Sequence, residues 1–94
     1  MDNPALARFV WTVEPAAVAR VAAVLRDPNP IHLDPAAARA AGLADPINQG
    51  PANLAYAVNM LLSAFPGAHL ASIESRYLAN VTVGDRVRAE GSVL

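Results

Sequence analysis

The pattern of apolar and polar positions predicts one strand, then three helices, then two further strands. β-Branched and aromatic residues dominate Leu6–Val13, which indicates a strand. The segments Leu70–Val83 and Arg86–Leu94 alternate apolar with polar side chains, and this period of two is typical of half-buried strands. Gly84 and Asp85 are expected to form the turn between these two strands.

Helical spacing and the placement of prolines mark the three helices. In Pro15–Leu25 the apolar residues recur at positions i, i+3, i+4 and i+7. Asp34 is placed as the N-cap of a short helix, Pro35–Ala41, which Gly42 ends. The segment Pro51–Phe65 is apolar on nearly all sides, and a helix of this kind is normally buried on most of its surface. We therefore expect a central helix covered by a sheet.

Composition narrows the class of protein. The chain has 94 residues, a formal net charge of −1 and no cysteine, which excludes a disulfide scaffold and a thiol nucleophile. No basic run suggests nucleic-acid binding, and no apolar run is long enough to suggest a membrane span or a signal peptide. These features predict one soluble, cytoplasmic domain over residues 1–94, with neither a nucleic-acid nor a membrane partner.

One segment concentrates reactive side chains. Asp27 and His32 lie five positions apart on a loop that three prolines stiffen, so both can converge on one small site. Imidazole exchanges protons near neutral pH, and a neighbouring carboxylate can orient a water or hold one imidazole tautomer. The alternative is structural: Asp27 and Asn29 make local turn hydrogen bonds, and His32 is a packed loop residue.

A second candidate lies where the apolar helix begins, at Gln49, Gly50 and Pro51. The free N–H groups of a helix N-terminus carry partial positive charge and can stabilise an oxyanion. Pro51 has no N–H, so such a contact must come from Gly50 or from residues after Pro51. The alternative is that Gly50 serves only the loop geometry and that Pro51 is an ordinary first-turn proline.

These segments resemble the MaoC-like family of R-specific enoyl-CoA hydratases and dehydratases. Residues 27–32 match the family signature D-x-N-P-x-H, and residues 83–87 read V-G-D-R-V, similar to a turn of the family. Gly50 occupies the position of the glycine with which the central helix begins in this family. The resemblance implies an α+β hot-dog fold, in which an antiparallel sheet wraps a long buried helix.

The resemblance also implies roles for particular residues. Asp27 and His32 fall on the catalytic dyad, which activates water for syn addition to a trans-2-enoyl thioester or catalyses the reverse dehydration. Asn29, Gly50 and Gln49 are expected to be the substrate-binding residues. The substrate would be an acyl thioester of coenzyme A or of acyl carrier protein, and neither a metal nor a redox cofactor is expected.

Some positions depart from the family pattern. Gln49 stands where histidine is usual, and Pro51 stands where a residue with an N–H is usual. The family also continues past the equivalent of Leu94 with further strands, so the sheet is expected to be truncated at the C-terminus. We expect a homodimer or a hot-dog heterodimer. Two alternatives remain: a non-catalytic or heteromeric hot-dog subunit, and a dyad used for another dehydration or a cyclisation in biosynthesis.

Overall fold

The computed structural model describes residues 4–94. The predicted domain, 1–94, therefore begins with three residues that lie outside the described part. Two short strands flank three α-helices and one 3₁₀ turn in chain order. Their bounds are β1, Phe9–Thr12; α1, Pro15–Leu25; the 3₁₀ turn, Pro30–His32; α2, Pro35–Ala40; α3, Gly50–Ala64; and β2, Arg86–Ala89.

Local signals place the boundaries of the helices. A proline occupies the first turn of α1, α2 and α3, where its missing N–H costs no helical hydrogen bond. Asp34 caps α2, because its Oδ1 accepts the backbone N–H of Ala36 at 2.9 Å. Gly42 follows α2 with a φ of +87°, a conformation that glycine adopts without strain. The predicted cap and stop of this short helix are both confirmed.

Helix α1 ends in a left-handed turn that directly precedes the candidate dyad. Arg26 has φ 52° and ψ 43°, and its N–H points to the carbonyls of Ala22 and Ala23. The N–H of Asp27 also bonds the Ala22 carbonyl, at 2.9 Å. This pair of bonds is the Schellman arrangement, which normally has glycine at the left-handed position. The backbone of Asp27 is thus fixed by the end of α1.

The two strands form an antiparallel ribbon. Phe9 pairs with Ala89 and Thr12 with Arg86, while an isolated bridge joins Ala5 to Ser92. Between the ribbon and this bridge, three residues (6–8) lie opposite two residues (90–91). One extra residue on one strand is the feature that defines a β-bulge. Side chains alternate between exposed and partly buried positions along both strands, so only one face of the ribbon contributes to the core.

Helix α3 packs across that inner face. Trp11 stacks on Tyr56 with ring centroids 4.8 Å apart, and it also stacks on Phe9 at 5.1 Å. Further along the helix, a Cβ on Gly91 would lie 3.2 Å from Cε of Met60, so the backbone approaches this side chain closely. The buried apolar residues form a small core: Val13, Val18, Ala22, Ala38, Ala52 and Met60.

The structure corrects the prediction of a strand over Leu70–Val83. Within the described chain, this segment forms no strand, and only Thr82 makes an isolated antiparallel bridge, to Ile47. Residues 70–80 are all exposed. A strand needs a neighbour that accepts and donates its backbone hydrogen bonds, and among residues 4–94 none lies alongside 70–80. The segment has the alternation of apolar and polar side chains that a strand needs, but it lacks a neighbouring strand with which to form a sheet.

Helix α3 is also less covered than its apolar sequence predicts. Its buried residues are Ala52 and Met60, whereas Leu62 and Phe65 are 48% and 43% exposed. The ribbon covers one side of α3. The segment that follows α3 in the chain, Leu70–Val83, does not cover the other side. None of the helices within residues 4–94 is long and apolar enough to cross a membrane.

The left-handed turn at Arg26 generates a stability prediction. We expect Arg26→Gly to raise the free energy of unfolding by about 0.5–1 kcal/mol, because glycine removes the steric cost of a positive φ. Urea unfolding followed by circular dichroism measures this change. Arg20→Gly, at an exposed position inside α1, is the matched control and should lower stability by about 1 kcal/mol. Equal losses in both variants would contradict the prediction.

Candidate active site

The loop that carries the candidate dyad is shaped by hydrogen bonds of its own side chains. Oδ1 of Asp27 accepts the backbone N–H of Asn29 at 3.2 Å. Oδ1 of Asn29 in turn accepts the N–H of Ile31 at 3.2 Å and caps the 3₁₀ turn. The structure therefore contains the local turn hydrogen bonds that a purely structural role of Asp27 and Asn29 predicts. They also hold Asp27 and His32 on one rigid turn.

His32 is anchored to the segment that leads into α3. Its Nδ1 lies 2.8 Å from the carbonyl oxygen of Ile47, and the N–H of Ile47 donates to the carbonyl of Ile31 at 3.1 Å. A carbonyl oxygen only accepts hydrogen bonds, so Nδ1 carries the proton in the neutral ring. Nε2 is then the basic nitrogen. The His32 side chain is 10% exposed, and its ring is held by this contact.

The structure brings Asp27 and His32 together. Oδ2 of Asp27 lies 3.7 Å from Nε2 of His32, and the carboxylate is 40% exposed. This distance is longer than a direct hydrogen bond, which would measure about 2.7–3.2 Å. With the neutral imidazole, both facing atoms are acceptors. A single water at about 2.8 Å from each can donate one hydrogen to Nε2 and the other to Oδ2.

The N-terminus of α3 supplies a free backbone donor. The N–H groups of Ala52 and Asn53 both bond the Gln49 carbonyl, at 3.0 and 3.1 Å, and Pro51 has no N–H. The N–H of Gly50 has no hydrogen-bond partner among residues 4–94. It is therefore the donor of the first turn that remains available, and the positive end of the helix dipole strengthens it.

The side chain of Gln49 points into the protein rather than towards the dyad loop. It is 1% exposed, and Nε2 donates to the carbonyl of Val18 in α1 at 3.0 Å. Its Oε1 is buried and lacks a partner in the part of the chain that the structure describes. Contact between Gln49 and substrate remains a prediction, and the same holds for Asn29.

The sequence did not assign to the site four residues that contact one another or Gly50 around the start of α3. Asn48 is 5% exposed, and its Nδ2 donates to Oδ1 of Asn53 and to the hydroxyl of Tyr56, both at 2.9 Å. The i, i+3 spacing of Asn53 and Tyr56 was the available signal, because it places both on one helix face. Tyr77 covers Gly50, since a Cβ on Gly50 would lie 3.3 Å from Cζ of Tyr77. No local pattern indicates that contact.

Two apolar concavities flank the dyad loop. One, of about 490 Å³, opens beside Asp27, and the other, of about 400 Å³, opens beside His32. Ala19 and Leu33 contribute to the walls of both. Among residues 4–94, no group of histidine, aspartate and glutamate side chains is arranged to hold a metal ion. The chemistry that this arrangement offers is proton transfer next to an apolar surface.

The hydrogen bond to Ile47 generates a prediction about the tautomer of His32. In ¹⁵N-histidine-labelled protein at a pH where the ring is neutral, we expect Nδ1 of His32 to show the shift of a protonated nitrogen and Nε2 that of an unprotonated one. His69, the second histidine of the chain, is exposed and serves as the internal control with averaged tautomers. A proton on Nε2 of His32 would contradict the geometry.

Comparison with known proteins agrees with the fold. The model of the MaoC like domain matches residues 2–94. The (R)-hydratase from A. caviae involved in PHA biosynthesis is 32% identical; the match covers 98% of this chain and 71% of that one, with a TM-score of 0.80. No curated protein matches this chain.

Two further solved structures share the fold. A chain of the ChsH1-ChsH2 complex from Mycobacterium tuberculosis is 20% identical and has a TM-score of 0.88, with coverage of 98% and 73%. The monoamine oxidase regulatory protein from Archaeoglobus fulgius is 24% identical and has a TM-score of 0.81, with coverage of 100% and 67%. The family match spans nearly the whole sequence, and the chain belongs to the MaoC-like family of hot-dog proteins.

Proposed function

We propose that this protein is an (R)-specific enoyl-thioester hydratase, or a 3-hydroxyacyl-thioester dehydratase in the reverse direction. The proposal rests on the two acceptor atoms that face each other across 3.7 Å, Oδ2 of Asp27 and Nε2 of His32. Membership of a family that includes an (R)-hydratase supports the reaction class. Asp27 and His32 are the proposed catalytic residues.

The dyad geometry suits the activation of one water. A water that donates both of its hydrogens, one to each acceptor, turns its oxygen lone pairs towards the open side of the site. In the hydration direction that oxygen attacks C3 of a trans-2-enoyl thioester, while the dyad takes one proton from the water. The dyad then delivers a proton to C2 on the same face. The π bond between C2 and C3 and one O–H bond are lost, one C–O and one C–H bond are formed, and no electron acceptor is required.

The Gly50 N–H is the proposed partner of the thioester oxygen. Attack at C3 places negative charge on this oxygen, and a free donor at the positive end of α3 stabilises that charge. Tyr77 packs over the α-carbon of Gly50, so a side chain at position 50 would have to displace the ring. Glycine at position 50 therefore lets the Tyr77 ring pack closely against the start of α3.

An acyl thioester of coenzyme A or of acyl carrier protein is the proposed substrate. The concavity beside Asp27 is lined mainly by alanine, proline and leucine side chains, which suit an acyl chain rather than a charged or sugar substrate. Asn29 and Gln49 belong to the same proposal as residues that shape the substrate site. Asn29 acts by shaping the loop, through its bond to the N–H of Ile31.

A second hot-dog chain is the proposed assembly partner, as a homodimer or a heterodimer. Large apolar side chains between the end of α3 and Thr82 are exposed, among them Leu78 at 84%, Tyr77 at 55% and Ile73 at 44%. The backbone of residues 70–80 also lacks a neighbouring strand within the described chain. Such an edge with apolar side chains is a typical surface for strand pairing between chains.

Replacing either dyad residue should abolish most of the activity. We expect His32→Ala and Asp27→Asn each to lower kcat/KM for hydration of a short trans-2-enoyl-CoA by about 10²–10⁴-fold, because each removes one of the two acceptors for the water. Loss of the enoyl absorbance measures the reaction. His69→Ala and Glu74→Gln are the matched controls, since both residues are exposed and lie outside the site.

The outcomes separate the proposed enzyme from its alternatives. Wild-type protein that leaves the enoyl absorbance unchanged at high concentration, while a known hydratase removes it, contradicts the proposal for this substrate. Activity that appears only after co-expression with another hot-dog chain assigns this protein to a heteromeric enzyme. Full activity in His32→Ala or Asp27→Asn would exclude the dyad mechanism.

The exposed apolar segment generates a prediction about assembly. At micromolar concentration we expect the protein to sediment as a dimer or a larger oligomer. Leu78→Arg should weaken this association at least about tenfold, because a charged side chain would have to be desolvated at the interface. Val24→Arg is the control, since Val24 is 82% exposed and belongs to α1 rather than to this segment. A monodisperse wild-type monomer would contradict a homo-oligomer.

A further inference from the structure

The side chain of Gln49 joins the two helices whose ends build the candidate site. Gln49 is the N-cap residue of α3 and directly precedes Gly50. Its Nε2 reaches the carbonyl of Val18, 31 residues earlier in α1, at 3.0 Å. Helix α1 ends at the turn that positions Asp27 through the Ala22 carbonyl. One buried amide therefore connects the helix that leads to Asp27 with the helix that begins at Gly50.

The same amide is not optimal for stability. Oε1 of Gln49 is buried and has no hydrogen-bond partner among the described residues, and a buried acceptor without a protein partner lowers stability. Val18 lies inside α1, where helical geometry also supplies its carbonyl with the N–H of residue i+4. An apolar side chain of similar length would remove the unsatisfied acceptor and leave no carbonyl unbonded. A merely structural role at this position would be filled better by such a side chain.

Gln49 also lies close in sequence to the residue that anchors His32. Ile47 accepts the hydrogen bond from Nδ1 of His32, and Asn48 donates its N–H to the carbonyl of Val81 at 2.7 Å. Backbone bonds thus hold residues 47 and 48 to the loop and to the segment after α3. The Gln49 side chain adds a buried hydrogen bond between this short stretch and α1.

We propose that Gln49 is a positioning residue of the site. Its amide N–H, bonded to the Val18 carbonyl, sets the first turn of α3 against α1, and thereby sets the Gly50 N–H and the Ile47 carbonyl relative to Asp27 and His32. This inference rests on the proposed hydratase function. It replaces direct substrate contact as the role of Gln49, because the side chain is 1% exposed and its donor group is already occupied.

Two substitutions separate positioning from packing. Gln49→Met keeps the length of the side chain but removes the donor, and we expect kcat to fall about 10- to 100-fold through misalignment while KM changes less than threefold. The melting temperature should stay the same or rise, because the unsatisfied acceptor is gone. Gln49→His restores an N–H donor and should recover kcat to within about threefold of wild type. Asn59→Leu, at an exposed position of α3, is the control for an added apolar side chain.

A spectroscopic readout tests the inference independently of turnover. In ¹⁵N-histidine-labelled Gln49→Met, the ring-nitrogen shifts of His32 should move towards the averaged values of the exposed His69. In Gln49→His the His32 shifts should remain as in wild type. The added histidine is identified because its signals are absent from the wild-type spectrum. If the wild type is inactive, the proposed function fails, while these shifts still decide the role of Gln49. Unchanged His32 shifts in Gln49→Met overturn the inference. So does a fall in kcat that Gln49→His fails to recover, or that accompanies a lower melting temperature.

Discussion

The candidate site depends on the double link between Ile47 and the turn that carries His32. The N–H of Ile47 donates to the carbonyl of Ile31, and its carbonyl accepts from Nδ1 of His32 at 2.8 Å. This link joins two loops that are 15 residues apart and leaves only one neutral tautomer compatible with the geometry. Nε2 is thereby unprotonated and faces Asp27. Without this link, His32 would be a loop residue with two interchangeable nitrogens.

Helix ends provide the remaining parts of the site. The left-handed turn at Arg26 ends α1 and fixes the backbone of Asp27, while Gly50 opens α3 with an N–H that has no partner within residues 4–94. Backbone groups at helix ends are unsatisfied by the helix itself, so they are available to fix a neighbouring residue or to bind a ligand. The buried Gln49 side chain connects the two helices, because it lies at the start of α3 and donates a hydrogen bond to the Val18 carbonyl in α1.

Much of the local structure could be predicted because its causes are short-range. Asp34 as a cap, the prolines in the first turns and Gly42 as a stop act within a few residues, and all three helices form where these signals place them. The segment Leu70–Val83 shows the limit of such reasoning. Alternation describes a segment that is able to form a strand, but strand formation also needs a partner, and among the described residues 70–80 have none. The same lack of cover leaves α3 partly exposed.

For the site, the amino-acid sequence by itself determined that Asp27 and His32 lie on one proline-stiffened turn, because they are five positions apart and the two prolines between them leave few conformations. It also identified the start of α3 as the place of free backbone donors. Only the tertiary structure decided which nitrogen of His32 is basic and that Gln49 points inwards, because Ile47 and Val18, their partners, are 15 and 31 residues away. Contacts between distant segments are chosen by packing, and no local pattern of residues encodes them.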